Sequence, residues 1–474
     1  MSIEDERGRI PNLMKLGSIP TDMQMDYDTG VLDPVINTQT FCRFVLDNKG
    51  FLNSFSKVVI AVDSNASGTI NALACLPAGV GVHGLIDRVA LRIGTEVVSE
   101  ITDYQSYLAY KSMFIDNEIN LERETYLTSR IMNHEMLYKD DSGGDSSDTS
   151  ASNYGLSTKM EYTMEANGAD GNLVVQPELR NVNTSEWSVS VADLIPWLRF
   201  NSLPLYLFGS TQIALEIHWT PKALGKRMVL NDAVATGAEF DITTSKLQFY
   251  ADYIYYPANV MSQFAAENST MNWTYTDFRM NKRSFLGSDL ELQQQIRIGG
   301  AGRLCSKVIS MCEHQATTTT ADQRILNQYS SVAPLTIGDN SQVFTTNLIY
   351  NNHRLYPVDR SSPAIHFHDV VQTEQNVPQV TRGEYSRGGQ ANGGITDERT
   401  YNDYIQSHLD EGLEGQFFYI GYRLNRNERV NENGIILQVQ YGDLVGGDTY
   451  IHRSYIEIVR TATLTNGIFR TDLA

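Results

Sequence analysis

Apolar and polar residues alternate along many short stretches of this chain, and this alternation predicts β-strands. The clearest example is Ile213–Trp219, where Ile213, Leu215, Ile217 and Trp219 alternate with smaller or polar residues. A period of two over this length predicts a strand with one buried face. The face that carries Leu215 is therefore expected to point into the protein core.

The residues before this strand predict a helical run, a break and another strand. The helical run begins at Asp193 and ends where Pro204 disfavours helix for the residue before it. Leu205–Phe208 is a short apolar run, interpreted as a strand, and Gly209 with the serine after it predicts a turn.

Similar patterns, separated by turn residues, continue through both halves of the chain. Hairpin turns are predicted at Gly94-Thr95 and at Asn351-Asn352, and short helices at 103–114 and 402–413. The predicted strands lie at Val58–Val62, Val89–Ile93, Val97–Ile101, 172–191, Lys246–Tyr256, Ile296–Ile298, Lys307–Ser310, Val343–Tyr350, His353–Tyr356, Phe417–Leu424, Ile435–Tyr441 and Tyr455–Leu464.

Many short strands with regular turns predict an all-β fold, and two passes of about eight strands suit two jelly rolls. We therefore predict two consecutive eight-stranded jelly-roll barrels with a few short helices and long surface loops. The predicted division is a polar N-terminal arm over 1–40, a first jelly roll over 41–260 and a second over 261–474. The two halves show no visible sequence repeat, so the duplication is an inference about structure.

Composition narrows the range of functions. The 474 residues carry a formal net charge of −19, and such an acidic surface repels phosphate backbones, so sequence-specific nucleic-acid binding is not expected. No stretch has the length and apolarity of a transmembrane segment, and the charged N-terminus has no secretory signal. The four cysteines are expected to be reduced, and Cys305 and Cys312, seven apart, are expected on opposite faces of any continuous strand.

The order of these patterns resembles the double jelly-roll major capsid proteins of virophages and polinton-like viruses. In that family a helix, a segment like Pro204–Gly209 (PLYLFG) and an alternating strand close the first barrel. The early hairpin and helix resemble 85–98 and 103–114, and the final strand of the first barrel resembles Lys246–Tyr256. In the second half, Asn352–Pro357 resembles the segment of the family that contains LYP, and Ile435–Tyr441 and Tyr455–Leu464 occupy the positions of its last strands.

The resemblance implies a structural protein and not an enzyme. Its homotrimer would form a pseudo-hexameric, hexon-like capsomer that tiles an icosahedral shell around double-stranded DNA. The implied partners are neighbouring capsomers, penton proteins and minor or cement capsid proteins. The implied location is the virion, with assembly in the cytoplasm or nucleus of the host cell.

Several motifs were weighed as chemical sites, and each is interpreted as structural. Gly79, Gly81 and Gly84 form a GxGxxG that is followed by a strand pattern and not by a helix, so a plain loop is favoured. The remaining candidates are the pair His366 and His368 with Asp369, expected on a strand or loop; Cys305, Cys312 and His314 as a zinc set; the acidic loop 140–148; the RGG-like residues Arg382, Gly383, Arg387, Gly388 and Gly389; and the basic residues Lys222, Lys226, Arg227, Arg279, Lys282 and Arg283.

None of these sets has the spacing of a standard metal, cofactor or catalytic site. We therefore predict no catalytic residue, no cofactor and no metal, and expect the basic residues to form salt bridges with acidic neighbours. The alternative function is a β-sandwich protein that binds carbohydrate or cleaves glycosides, because jelly rolls also host those activities. A fibre or penton protein is a weaker option, since a penton would need only one jelly roll.

Overall fold

A computed structural model gives the fold of the chain. It describes residues 26–64, 74–75, 80–112, 127–128, 164–167, 172–175, 184–196, 198, 202–209, 211–221, 229–230, 240–315, 345–361, 363–375, 419–424, 428–441, 444 and 446–472. The predicted helix 402–413, the acidic loop 140–148, the RGG-like residues and Lys222, Lys226 and Arg227 lie outside the described residues.

Strands dominate the first half of the chain, residues 26–255. In chain order its elements are β1 (Asp26–Leu32), β2 (Ile36–Asn37), β3 (Phe41–Leu46), β4 (Phe51–Leu52), β5 (Lys57–Ser64), β6 (Ala74–Cys75), a 3-10 helix (Gly81–Leu85), β7 (Ile86–Ile93), β8 (Glu96–Thr102), α1 (Tyr104–Ser112), β9 (Met164–Asn167), β10 (Asn172–Val175), β11 (Thr184–Ser190), α2 (Val191–Leu194), a 3-10 helix (Leu205–Phe208), β12 (Ile213–Trp219), β13 (Val229–Leu230), β14 (Phe240–Ile242), a 3-10 helix (Thr244–Lys246) and β15 (Gln248–Tyr255).

The second half, residues 270–472, follows a connecting helix. These elements are the connecting helix α3 (Ala258–Glu267), then β16 (Thr270–Leu286), α4 (Gly287–Leu290), β17 (Gln294–Gly299), β18 (Leu304–His314), β19 (Thr345–Tyr350), β20 (His353–Arg354), α5 (Pro363–Glu374), β21 (Ile420–Arg423), β22 (Ile435–Gln440), β23 (Thr449–Thr465) and β24 (Ile468–Asp472).

Each half contains two antiparallel main sheets, and the strand orders of the two halves agree except for one additional strand, β2, in the first half. In the first half the orders are β1-β15-β5-β11 and β2-β3-β12-β7-β8. In the second half they are β16-β23-β18-β21 and β17-β22-β19-β20. In both halves the first strand lies beside the last long strand. Apart from short hairpins such as β7–β8 and β19–β20, the chain passes back and forth between the two sheets, which is the pattern of a jelly roll. The prediction of an all-β fold with two jelly rolls is confirmed.

The hydrophobic core lies between the facing sheets. In the first half, Phe44 from one sheet and Phe249 from the other place their ring centroids 5.8 Å apart. In the second half, the Tyr422 hydroxyl on one sheet hydrogen-bonds the Thr346 hydroxyl on the other. Apolar side chains from both sheets therefore leave water together, which supplies the main stabilisation of each half.

The two predicted hairpin turns are confirmed. Gly94 has φ +62° between β7 and β8, and Asn351 and Asn352 have φ +52° and +66° between β19 and β20. Two successive left-handed residues are the geometry of the type I′ turn, whose twist matches that of the flanking strands. Asparagine tolerates this conformation better than most residues with a side chain.

Three local predictions were wrong. Leu205–Phe208 is a 3-10 helix and not a strand. The predicted arm, 1–40, contains β1 and β2, which pair with β15 and β3 in the sheets of the first half. In β12 both faces are buried, because Glu216 on the expected polar face is covered and lies 2.8 Å from Arg92.

Among the described residues, no helix has both the length and the apolarity needed to cross a membrane.

Candidate functional site

The candidate histidine pair lies on a helix, so the prediction of a strand or loop was wrong. His366 and His368 belong to α5, which begins at Pro363. His366 is buried with its Nε2 3.3 Å from the carbonyl oxygen of Arg360, whereas His368 is exposed and contacts the amide of Gln372. Residues two apart on a helix point in different directions, so the pair does not converge on one point.

The cysteine prediction fails in one respect. Cys42, Cys305 and Cys312 are buried free thiols. However, Cys305 pairs with Ile458 and Cys312 with His452, six residues apart on β23, so both cysteines lie on the same face. The cause is a bulge between Cys305 and Lys307, which shifts the register by one residue. Burial raises the pKa of Cys305 to about 11, so this thiol stays protonated and unreactive at neutral pH.

The other described candidates are the glycine motif and the basic residues of β16. Gly81 and Gly84 lie in a 3-10 helix, where a plain loop was predicted, and this helix leads directly into strand β7. A dinucleotide-binding fingerprint instead opens an α-helix at this point. Arg279 lies 3.8 Å from Glu100, and Lys282 lies 3.1 Å from Asp103. These two basic residues form salt bridges, as predicted. In the described part of the chain no group of three or more His, Cys, Asp or Glu side chains is placed to hold a metal ion.

The most distinctive polar site is the contact between the two halves. β8 ends its sheet, and second-half side chains bind its backbone. The Glu100 N–H donates to Asp277 Oδ1 at 3.0 Å. The Val98 carbonyl oxygen accepts from the Tyr275 hydroxyl at 2.7 Å and from Arg460 Nη1 at 2.9 Å. These side chains take the place of a neighbouring strand, so the edge of β8 is covered.

An ion pair completes this contact. Arg460 Nη1 lies 3.0 Å from Asp277 Oδ2, and both side chains are buried. Burial raises the pKa of Asp277, although the Glu100 N–H and the guanidinium groups of Arg279 and Arg460 oppose this shift. The carboxylate thus remains expensive to bury, and its hydrogen bonds to the edge of β8 offset part of that cost.

A second buried cluster lies elsewhere along β23, the strand that also carries Arg460. Arg453 on β23 donates from Nε to Asp103 Oδ2 at 2.7 Å and also bonds Glu313 through Nη1. The Tyr455 hydroxyl donates to the Asp103 carbonyl oxygen at 2.8 Å. Burial alone would lower the pKa of Arg453, but the carboxylates of Glu313 and Asp103 outweigh it and raise the pKa. The guanidinium is therefore locked in its charged form.

A third cluster joins α1 to α5. Glu374 at the end of α5 accepts from the Tyr110 hydroxyl at 2.9 Å and from Lys307 Nζ at 2.8 Å, and it pairs with Lys111. Lys307 Nζ also lies 3.4 Å from Glu457. Burial would raise the pKa of Glu374, but Lys111 and Lys307 together lower it to about 2. This carboxylate is ionised throughout the physiological range.

We call the three clusters together the junction. Its five central residues are Asp103, Asp277, Glu313, Arg453 and Arg460. Apolar contacts flank them, for example between the rings of Tyr107 and Phe278, whose centroids are 4.6 Å apart. Buried charges that are paired and hydrogen-bonded are suited to fixing the geometry of a contact. The junction therefore holds the two halves in one relative orientation.

Sequence reasoning missed the junction. Arg453 and Asp103 are 350 positions apart, so no local pattern links them. The usable signal was a run of charged residues, Arg453, Glu457 and Arg460, within a strand that is otherwise strongly apolar. Charged residues in a buried strand demand partners, although the sequence does not say which ones.

Two buried histidines make stability depend on pH. Burial lowers the pKa of His366 to about 4 and that of His452 to about 3. An unfolded histidine binds a proton near pH 6.5, so this stability is complete above that pH and is lost as the pH falls toward the folded pKa. Between pH 7.5 and pH 5 we expect each histidine to reduce the free energy of unfolding by about 2 kcal/mol.

Urea denaturation at the two pH values measures this loss. His366→Gln should reduce the pH-dependent loss of unfolding free energy by about 2 kcal/mol, whereas the control His368→Gln, which changes an exposed histidine of the same helix, should leave that loss unchanged. An equal pH dependence in the wild type and His366→Gln would contradict the prediction.

The comparisons with known proteins agree with this architecture. The chain is similar to the capsid of PBCV-1 (TM-score 0.53, 10% identity, covering 97% of this chain and 99% of that chain). It is similar to the Sputnik virophage structure (TM-score 0.54, 12% identity, 98% and 92%). It is also similar to the mavirus major capsid protein (TM-score 0.51, 10% identity, 98% and 92%).

No protein-family model and no curated protein matches the sequence. At these identities the structural likeness establishes the fold. The chain has the double jelly-roll fold of those major capsid proteins, and the resemblance stated from the sequence is confirmed at that level.

Proposed function

We propose that this chain is the major capsid protein of a double-stranded DNA virus. In this proposal three copies form a homotrimer, the six barrels of the trimer make a pseudo-hexameric capsomer, and the capsomers tile an icosahedral shell. The two predicted domains, 41–260 and 261–474, would each supply one barrel, the first with β1 and β2 added from the residues before it.

The observation that carries the proposal is the pairing of two barrels of equal topology across a fixed junction. A shell tile needs rigid units that repeat at a constant angle, because closed symmetric assemblies tolerate little variation between contacts. Buried ion pairs such as Arg453–Asp103 fix the relative orientation of the two halves, because a movement of either half would leave a buried charge without its partner. The likeness to the PBCV-1, Sputnik and mavirus structures along nearly the whole chain supports the same conclusion.

The proposed partners follow from this role. The chain would contact copies of itself, neighbouring capsomers, penton proteins and minor or cement capsid proteins, and it would reside in the virion. Its net charge of −19 disfavours extensive contact with DNA, so the shell would enclose the genome without binding it extensively.

The proposed role is structural and not enzymatic. Two carboxylates facing each other across an accessible cleft would be needed for the alternative, a glycoside-cleaving protein. The buried carboxylates of the junction are instead neutralised by arginine or lysine, as in Asp277–Arg460 and Glu374–Lys307. Lys111 and Lys307 lower the pKa of Glu374 to about 2, so this carboxylate has no proton to donate to a leaving group at neutral pH.

The oligomeric state tests the proposal. We expect soluble protein to have a mass about three times 53.1 kDa by light scattering, and electron microscopy of assembled material to show closed shells. Three copies would bury an interface well above the roughly 1,000 Å² of a minimal biological contact. A monomer at micromolar concentration that never assembles would overturn the proposal.

A further inference from the structure

The two halves repeat not only their sheets but also the elements around them. In the first half the hairpin β7–β8 precedes α1, and in the second half the hairpin β19–β20 precedes α5. Apart from the additional strand β2, the strand orders of the two halves match, so β1 corresponds to β16 and β8 corresponds to β20. If β8 of the first half contacts β16 of the second half, the corresponding strands, β20 and β1, could therefore form an equivalent contact.

One such contact exists within the chain. β8 and β16 each lie at an end of a sheet, and they meet at the junction, where Asp277 on β16 accepts the N–H of Glu100 on β8. The corresponding sheet ends are β20 and β1. Among the described strands, β1 pairs only with β15 and β20 pairs only with β19, so each has one edge that no described strand covers.

The exposed edge of β1 has the character of a contact surface. Tyr27 is 63% exposed and Val31 is 51% exposed, and both lie on the same face of the strand because they are four residues apart. Large apolar side chains on an edge strand favour association with another chain. The other face of the strand carries the exposed carboxylates of Asp26 and Asp28, and Asp28 lies 3.4 Å from Lys49 Nζ of its own chain.

The β20 edge is complementary in charge. His353 and Arg354 are both exposed at the end of the β19–β20 hairpin. Arg354 pairs with Asp359 on its own chain, and its side chain remains 43% exposed and accessible to a second acidic partner. Oppositely charged surfaces guide two copies into one register.

We propose, on the basis of the proposed capsid function, that the free edge of β1 docks against the β19–β20 hairpin of a second copy of this chain. This contact between two copies is the counterpart of the β8–β16 contact within one copy. It is heterologous, because the two surfaces differ, and a heterologous contact closes into a ring when its rotation permits. If the β8–β16 contact within each chain alternates with the proposed contact between chains, three chains form a closed ring of six barrels.

A cysteine pair tests the surface directly. The double variant Val31→Cys, His353→Cys is treated with a short bismaleimide and analysed by denaturing gel electrophoresis. Cys42, Cys305 and Cys312 are buried free thiols and compete little for the reagent, and the fourth cysteine, Cys75, is replaced by serine in every variant. We expect cross-linked species of two and three chains, because each copy offers one of each cysteine to a different neighbour.

The controls separate this surface from others. Val31→Cys alone and His353→Cys alone should remain single chains, and so should the pair Val31→Cys, Leu292→Cys, in which Leu292 is comparably exposed elsewhere. Cross-linking by Val31→Cys alone would show that β1 pairs with β1 and would overturn the proposal. Unlinked chains in a protein that still has trimer mass would overturn the surface but leave the proposed function intact. Absence of trimers in the wild type would overturn both.

A charge-dependent variant gives an independent measurement. Val31→Arg places a cation against His353 and Arg354 of the neighbour, whereas Val31→Glu places an anion there. We expect Val31→Arg to raise the trimer dissociation constant about tenfold more than Val31→Glu does. Equal effects of the two variants would show that β20 does not face this residue.

Discussion

Leu215→Asp is expected to prevent the first half from folding. Leu215 is 1% exposed in β12, where it is paired with Phe44 on one neighbouring strand and Leu91 on the other. The substitution removes a core side chain and places a carboxylate where no cation is available. The combined cost is about 5 kcal/mol or more, comparable with the whole stability of a typical domain.

Expression followed by sedimentation measures this effect. We expect Leu215→Asp to be insoluble, and we expect Val358→Asp, which adds the same carboxylate at an exposed position, to be soluble at the wild-type level. Leu215→Ala serves as an intermediate case, with a loss of about 2–5 kcal/mol from the cavity alone. Soluble Leu215→Asp with the wild-type mass would show that this face of β12 is not core.

The strand β12 was predicted correctly from the sequence and the segment Leu205–Phe208 was not, for different physical reasons. Alternation over Ile213–Trp219 is long enough to exclude a helix, so the strand was predictable. Leu205–Phe208 has only four apolar residues, which suit a strand, a 3-10 turn or a buried helix equally well. Pro204 fixes its own φ, and Gly209 takes φ +58°, so the chain turns tightly between them.

The helix α5 was missed although its start signal is present. Pro363 occupies the first helical position, where a missing N–H costs nothing, and Ser361 and Ser362 precede it. The spacing of His366 and His368 suggests the period of two that is typical of a strand, whereas the segment has the period of a helix. The bulge at Cys305–Lys307 had no comparable signal, because a one-residue insertion depends on how β18 meets β23.

The junction could not be predicted from the sequence. Its charges are tolerable only in the folded state, where residues from both halves converge. Glu374, for example, is stabilised by Lys111 from the first half and by Lys307 from the second. Local patterns reveal which residues are buried, but the matching of distant charges depends on the packing of two whole barrels.

Removing one charge from the junction should therefore have the second largest effect. Arg453 is 1% exposed and binds both Asp103 and Glu313. Arg453→Met keeps much of the side-chain volume but leaves two buried carboxylates without their main cation. We expect the free energy of unfolding to fall by about 3–5 kcal/mol, measured by urea denaturation at pH 7.5.

Lys246→Met is the matched control. Lys246 lies 2.7 Å from Glu186, but the two side chains are 43% and 52% exposed, so water screens the pair. We expect this variant to lose only about 0.2–1 kcal/mol. The comparison holds the removed charge and the replacement residue type constant and varies burial.

Neutralising the partners should restore part of the lost stability. In the triple variant Arg453→Met, Glu313→Gln, Asp103→Asn, no buried carboxylate remains without a cation at this point. Asparagine also suits the backbone of Asp103, whose φ is +46°. If Arg453→Met cost no more than Lys246→Met, or if the triple variant were less stable than Arg453→Met, the buried charges would not be what couples the halves. Recovery in the triple variant would instead show that stability at the junction depends on charge balance, because the arginine is needed chiefly while its carboxylate partners are ionised.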